Sequence, residues 1–69
     1  MPTEIVFASG ASIKVTATVD ELARKLEGRE WGAFETARFA GFRGDEAVAG
    51  ERVVVNVGAV AYATEIPVP

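Results

Sequence analysis

The reactive side chains of this sequence are carboxylates, hydroxyls, two lysines and five arginines, because it contains no histidine and no cysteine. The usual zinc ligands, a thiol nucleophile and the commonest general base are therefore missing. Hydroxyl nucleophiles need a base beside them, and neither a G-x-S-x-G motif nor a phosphate-binding glycine loop occurs. We predict no catalytic residue, no cofactor and no enzymatic activity. An enzyme would have to use carboxylates and arginines alone, or build its site between subunits.

Acidic residues are the remaining candidates for chemistry. The pairs Asp20-Glu21 and Asp45-Glu46 are adjacent in sequence, so they do not face each other across a cleft as glycosidase carboxylates do. Oxygen ligands for a metal ion could come from Asp45, Glu46 and Glu51, but the regular D-x-D-x-D-G spacing of a calcium loop is missing. The sequence therefore predicts no metal site.

A short recognition motif lies in a glycine-rich segment, residues 41–50: Arg43-Gly44-Asp45 spells the tripeptide that integrins read. A three-residue match arises easily by chance. No basic leader precedes the first apolar residues, so no signal peptide is predicted and nothing marks a secreted protein. We interpret the motif as part of a hairpin loop and attach no function to it.

Arginine and phenylalanine are interleaved around the predicted third and fourth strands, at Arg38, Phe42, Arg43 and Arg52. Aromatic stacking combined with phosphate contacts is how small sheets bind single-stranded nucleic acid. Acidic residues lie in the same stretch and the net charge is -3, which opposes binding to a polyanion. A small nucleic-acid-associated regulator is for this reason the alternative hypothesis and not the leading one, with these four residues as its candidate site.

Three aromatic side chains are candidates for contact with a protein partner: Trp31, Phe34 and Phe42. Trp31 follows the predicted helix in a loop bounded by glycines, residues 28–32. We favour the interpretation that Trp31 folds over the helix end and covers the core, because a tryptophan buries so much area. The alternative is an exposed anchor, since tryptophan is enriched at interface hot spots. Phe34 lies on a strand with an aromatic on each face, and Phe42 lies in a loop, so either ring could meet a partner.

One helix organises the predicted fold and is marked at both ends, over residues 18–28. Thr18 and Glu21 have the spacing of a capping box, and Gly28 can adopt the left-handed conformation that closes a helix. An apolar stripe repeats at i, i+3, i+4 and i+7, at Val19, Leu22, Ala23 and Leu26. Such a short helix is marginal in water, so it must lie on the strands that flank it.

Strands are predicted at residues 3–8, 13–17, 33–40, 52–57 and 60–66, which gives the order β-β-α-β-β-β. The first two read as a hairpin, with Ile5, Phe7, Ile13 and Val15 on the buried face. The run 52–57 is the most apolar and is predicted to be the central strand. We predict an α+β fold, one domain over residues 1–69, built as a small antiparallel sheet or a partly closed barrel with the helix against it.

The C-terminal run R-V-V-V-N-V-G-A-V-A-Y-A-T-E-I, from Arg52 to Ile66, is a strand, one tight turn and a final short strand. In this pattern it resembles the ending of Sm-like and Src-homology small β-barrels. The resemblance implies a partly closed barrel with the helix plugging one end. The plainer alternative is an open antiparallel sheet with one helix across it.

The leading functional hypothesis is a non-enzymatic protein-interaction or assembly module that forms a homo-oligomer. A core of this size rarely supplies more than ~3–5 kcal/mol, so self-association would supplement it. No apolar run approaches a membrane span, so we expect no membrane partner and a cytoplasmic location. Alanine, valine, glycine and arginine are abundant while glutamine is missing, a bias typical of a GC-rich bacterium or its phages.

Overall fold

The fold is α+β, as predicted, in a computed structural model that describes residues 1–40 and 46–67, with side chains for 1–38 and 50–67. The strands are β1 (Thr3–Phe7), β2 (Ser12–Val15), β3 (Trp31–Ala40), β4 (Glu46–Asn56) and β5 (Val60–Glu65). The helix α1 (Val19–Leu26) follows β2, and a 3₁₀ turn (Val57–Ala59) joins β4 to β5.

The five strands form one antiparallel sheet in the order β4-β3-β2-β1-β5, and this sheet does not close. The open sheet is therefore the correct alternative, and the barrel implied by the resemblance is not formed. The prediction that residues 52–57 form the central strand is also wrong, because β4 is an edge strand. Because neighbouring residues of a strand point to opposite faces, its apolar run does not lie on one face: Val55 is buried, whereas Val54 is 65% exposed.

The first two strands form the predicted hairpin. Ile5 pairs with Ile13 and Thr3 with Val15, and the turn is closed by Gly10 at a φ of 94°. A positive φ of this kind is easily adopted by glycine. Alternation along the strands then places these four residues on one face, where Ile5 and Val15 have no exposed surface. The inward side chains of this hairpin therefore line one side of the core.

Helix α1 begins at the predicted cap. The Thr18 hydroxyl accepts a hydrogen bond from the Glu21 amide at 3.2 Å, and Gly28 beyond the helix has a φ of 66°. The helix buries Leu22 and contacts both β3 and β5 on one face of the sheet. We call this the inner face, and the opposite one the outer face.

The core lies between α1 and the inner face. Its buried apolar side chains share one cluster: Ile5, Val15, Ala17, Leu22, Phe34 and Val55. Thr3 is the one polar side chain buried with them in the described part of the chain. Its hydroxyl donates to the Ala17 carbonyl at 2.8 Å, which ties β1 to the segment between β2 and α1.

Replacing Thr3 with valine keeps the shape of the side chain but removes this donor. We expect Thr3→Val to lower the free energy of unfolding by about 1–3 kcal/mol, because the buried Ala17 carbonyl loses its hydrogen bond. Thr16→Val, at an exposed position nearby, is the control and should change stability by less than about 0.5 kcal/mol. Urea unfolding measures both, and equal effects would contradict this role for Thr3.

Candidate interaction surface

The hairpin of β3 and β4 positions the candidate residues, because its ladder decides which side chain points to which face. Three cross-strand pairs point to the outer face: Trp31 with Asn56, Ala33 with Val54, and Glu35 with Arg52. The pairs between them, Gly32 with Val55 and Phe34 with Val53, point to the inner face and the helix.

Trp31 does not cover the helix end, so the interpretation that we favoured from sequence is wrong. It is the first residue of β3, not a loop residue, and its side chain is 56% exposed. The helix end is closed instead around Gly32, where a Cβ would lie 2.8 Å from both Leu26 Cδ2 and Phe34 Cε2. The side chains of Leu26 and Phe34 thus fill the space over the helix end in which we expected the Trp31 indole, and Trp31 lies on the outer face instead.

Phe34 is placed in the core rather than on a contact surface. Its side chain is 3% exposed. The Lys25 ammonium lies over the ring, 5.3 Å from its centroid, and donates to the Ala33 carbonyl at 3.2 Å. A partner therefore cannot reach this ring while the helix is in place. Phe42 lies outside the described residues.

Two exposed side chains were missed by the sequence reading. Val54 and Tyr62 are 65% and 57% exposed, and both point to the outer face, Val54 beside Ala33 and Tyr62 beside Val6. The signal was present for Val54: in a run of three valines, strand alternation places the middle residue on the opposite face from its neighbours. Trp31 and Val54 thus lie together on β3 and β4, whereas Tyr62 lies on β5 at the opposite edge of the sheet.

The candidate nucleic-acid residues are not brought onto one surface as far as the structure describes them. Alternation along the ladder puts Arg38 on the inner face, where its stem covers Gly50, and Arg52 on the outer face. Arg43 and Phe42 lie outside the described residues, as does the Arg43-Gly44-Asp45 motif. The two described arginines therefore contribute to different surfaces.

The outer edge of β4 carries backbone groups that no described strand pairs with. The Glu35 carbonyl accepts from the Thr16 amide at 3.0 Å and the Ala33 carbonyl from Lys25, so both point away from β4. In an antiparallel ladder their partners on β4 then turn their own N–H and C=O groups away from β3. The backbone donors and acceptors of Arg52, Val54 and Asn56 consequently point away from β3, in the plane of the sheet, at its free edge.

The regular part of this edge strand is limited at both of its ends. The ladder shifts register between Glu35 and Ala37, where Thr36 Oγ1 accepts from the Glu51 amide at 2.8 Å and donates to the Glu51 carbonyl at 3.3 Å. Two residues of β4, Gly50 and Glu51, oppose one of β3, which is a β-bulge. The 3₁₀ turn at Val57–Ala59 ends the edge on the other side.

An open depression of about 390 Å³ lies between α1 and β3, and its charged lining residues are Glu21, Lys25, Glu35 and Arg52. Among the described residues, no group of three acidic side chains is close enough to hold a metal ion.

Gly32 should be intolerant of a side chain, because the residues that displace Trp31 from the core fill its inner side. We expect Gly32→Ala to lower the free energy of unfolding by about 1–3 kcal/mol through overpacking against Leu26 and Phe34. Gly58→Ala is the matched control, since its Cβ would meet only Asn56 Oδ1, at 3.4 Å. Thermal unfolding compares them, and a loss no larger than that of the control would argue against this packing.

Comparison with protein-family models, curated proteins and solved structures found no match for this chain. Within the described residues, no helix has the length and apolar character needed to cross a membrane. The candidate surface consists, in the part of the chain that the structure describes, of an outer face with an exposed tryptophan beside an edge strand whose backbone groups point away from β3.

Proposed function

We propose that this chain is a non-enzymatic assembly module that associates with copies of itself through the part of its sheet formed by β3 and β4. One observation carries the proposal. In the described part of the chain a helix packs against the inner face of the sheet, while Trp31 and Val54 lie together on the other face and are each more than half exposed. An uncovered sheet face with large apolar side chains is typical of an interaction site.

The exposed indole makes the largest single contribution to this argument. An aromatic side chain buries about 150–250 Å² when fully enclosed, so covering the exposed half of Trp31 removes on the order of 100 Å² from water. At ~25 cal/mol per Å² this contributes about 2–3 kcal/mol. A term of that size matches a hot spot at the centre of an interface.

The residues around Trp31 and Val54 also have the composition of an interface. Glu35, Arg52 and Asn56 lie on the same face and are exposed, which supplies a polar rim around an apolar centre. Self-association would further stabilise a chain whose core is small, since binding between folded copies favours the folded state by mass action.

The native mass in solution tests this proposal directly. Light scattering across a dilution series should show a discrete oligomer that dissociates as the concentration falls. Trp31→Ala should raise the dissociation constant at least about tenfold, the equivalent of 1.4 kcal/mol. Arg24→Ala, on the exposed side of α1, is the control and should leave the mass unchanged. A monomer at every concentration would contradict the proposal.

The same sizing peak addresses the nucleic-acid hypothesis, for which the described geometry supplies no further support. Excess absorbance at 260 nm, lost at high salt, would favour it, because phosphate contacts are weakened by salt. In that case Arg38→Ala combined with Arg43→Ala should abolish the excess, whereas Arg24→Ala should not.

A further inference from the structure

We propose that the interface is formed by β4 of one copy pairing antiparallel with β4 of a second copy, about a two-fold axis through Val54. The two sheets would then continue into one another. This inference rests on the proposed function and deepens it, because it names the strand, the register and the occupant of the surface.

The backbone supplies the first argument. Along residues 52–56, the N–H and C=O groups of Arg52, Val54 and Asn56 face outward, as the Thr16–Glu35 and Lys25–Ala33 hydrogen bonds require. An edge of this kind is a template for another strand. A second copy presents the same alternating donors and acceptors, and antiparallel pairing satisfies them in both chains at once.

The register supplies the second argument. With Val54 on the axis, Val54 lies opposite Val54 of the second copy, and Arg52 lies opposite Asn56. Like charges do not meet, and the Arg52 guanidinium donates toward an amide. Asn56 Oδ1 accepts from the Gly58 amide at 3.0 Å, which leaves its second lone pair for this contact. The strand is thus complementary to itself in this register.

Other registers and the other edge fit less well. An axis at Arg52 would oppose two guanidinium groups and run into the bulge at Gly50 and Glu51. An axis at Asn56 would run into the 3₁₀ turn. The free side of β5 follows a register shift opposite Val6 and Phe7, so its regular part, residues 62–65, is shorter than residues 52–56 of β4.

Side chains on the outer face add area to the backbone pairing. A standard interface takes ~800 Å² from each partner, about one sixth of the 4695 Å² accessible surface of this chain. Paired backbones alone bury less. Trp31 is the diagonal neighbour of Val54 across the ladder, at a separation of about 7–8 Å that an aromatic ring can span. Each indole therefore lies beside the central valine pair.

A single engineered cysteine tests the register, because the chain has none of its own. In a hydrogen-bonded antiparallel pair the Cα atoms are about 5.5 Å apart, within the range that a disulfide bridges. Val54→Cys should therefore form a covalent dimer under mild oxidation. Tyr62→Cys, at a position that is also more than half exposed but lies on β5, should not. Non-reducing gels and intact mass measure both.

A charge at the same position gives an independent readout of association. Val54 is 65% exposed, so Val54→Lys should fold normally by circular dichroism. Two lysines would meet on the axis, and we expect the dissociation constant to rise on the order of 100-fold, since opposed like charges cost several kcal/mol. Tyr62→Lys should leave it unchanged.

The outcomes separate this interface from the proposed function. A wild-type oligomer in which Tyr62→Cys cross-links and Val54→Cys does not would overturn the β4 interface but leave self-association standing. Cross-links formed only between the two variants in a mixture would indicate head-to-tail pairing, and equal cross-linking of both would indicate unspecific contact; either result overturns the two-fold arrangement. A wild-type monomer removes both proposals.

Discussion

A single short helix has to complete the core of a five-stranded sheet, and the rest of the structure follows from that constraint. Eight residues of α-helix are about 12 Å long, whereas five strands are about 19 Å wide. The helix therefore covers part of one face. Its buried residue, Leu22, belongs to one core cluster with Phe34 and Val55 of β3 and β4 and with Ile5 and Val15 of β1 and β2, so the helix adds to a core shared by both parts of the sheet.

The need for this helix is clearest where β2 meets β3. These strands pair through Val15 and Thr36, and the hydrogen bond from the Thr16 amide to the Glu35 carbonyl adds to this contact. Beyond that point the helix supplies the hydrogen bond, because the Lys25 ammonium donates to the Ala33 carbonyl, which β2 does not reach. The helix thus substitutes for strand pairing on one side of β3, while β4 pairs along the other side, on both sides of the bulge.

Features set by nearby residues could be predicted from the sequence. The cap at Thr18, the left-handed glycine at position 28 and the β1–β2 hairpin depend on local spacing, and they are found as predicted. The side of Trp31 and the edge position of β4 depend on strand order and on which residues fill the helix end, which no local pattern encodes. The exposure of Val54 follows from the same edge position, which contradicts the prediction that residues 52–57 form the central strand.

The bulge at Gly50 and Glu51 has a consequence for polymer growth. An uninterrupted edge as apolar as β4 would template strand after strand, as in a cross-β fibril. Here the Thr36 hydroxyl holds both the Glu51 amide and carbonyl, so regular pairing stops after a few residues. The register shift beside Val6 and Phe7 interrupts the opposite edge in the same way. Both edges of the sheet are thereby less regular templates for repeated strand addition than uninterrupted strands would be.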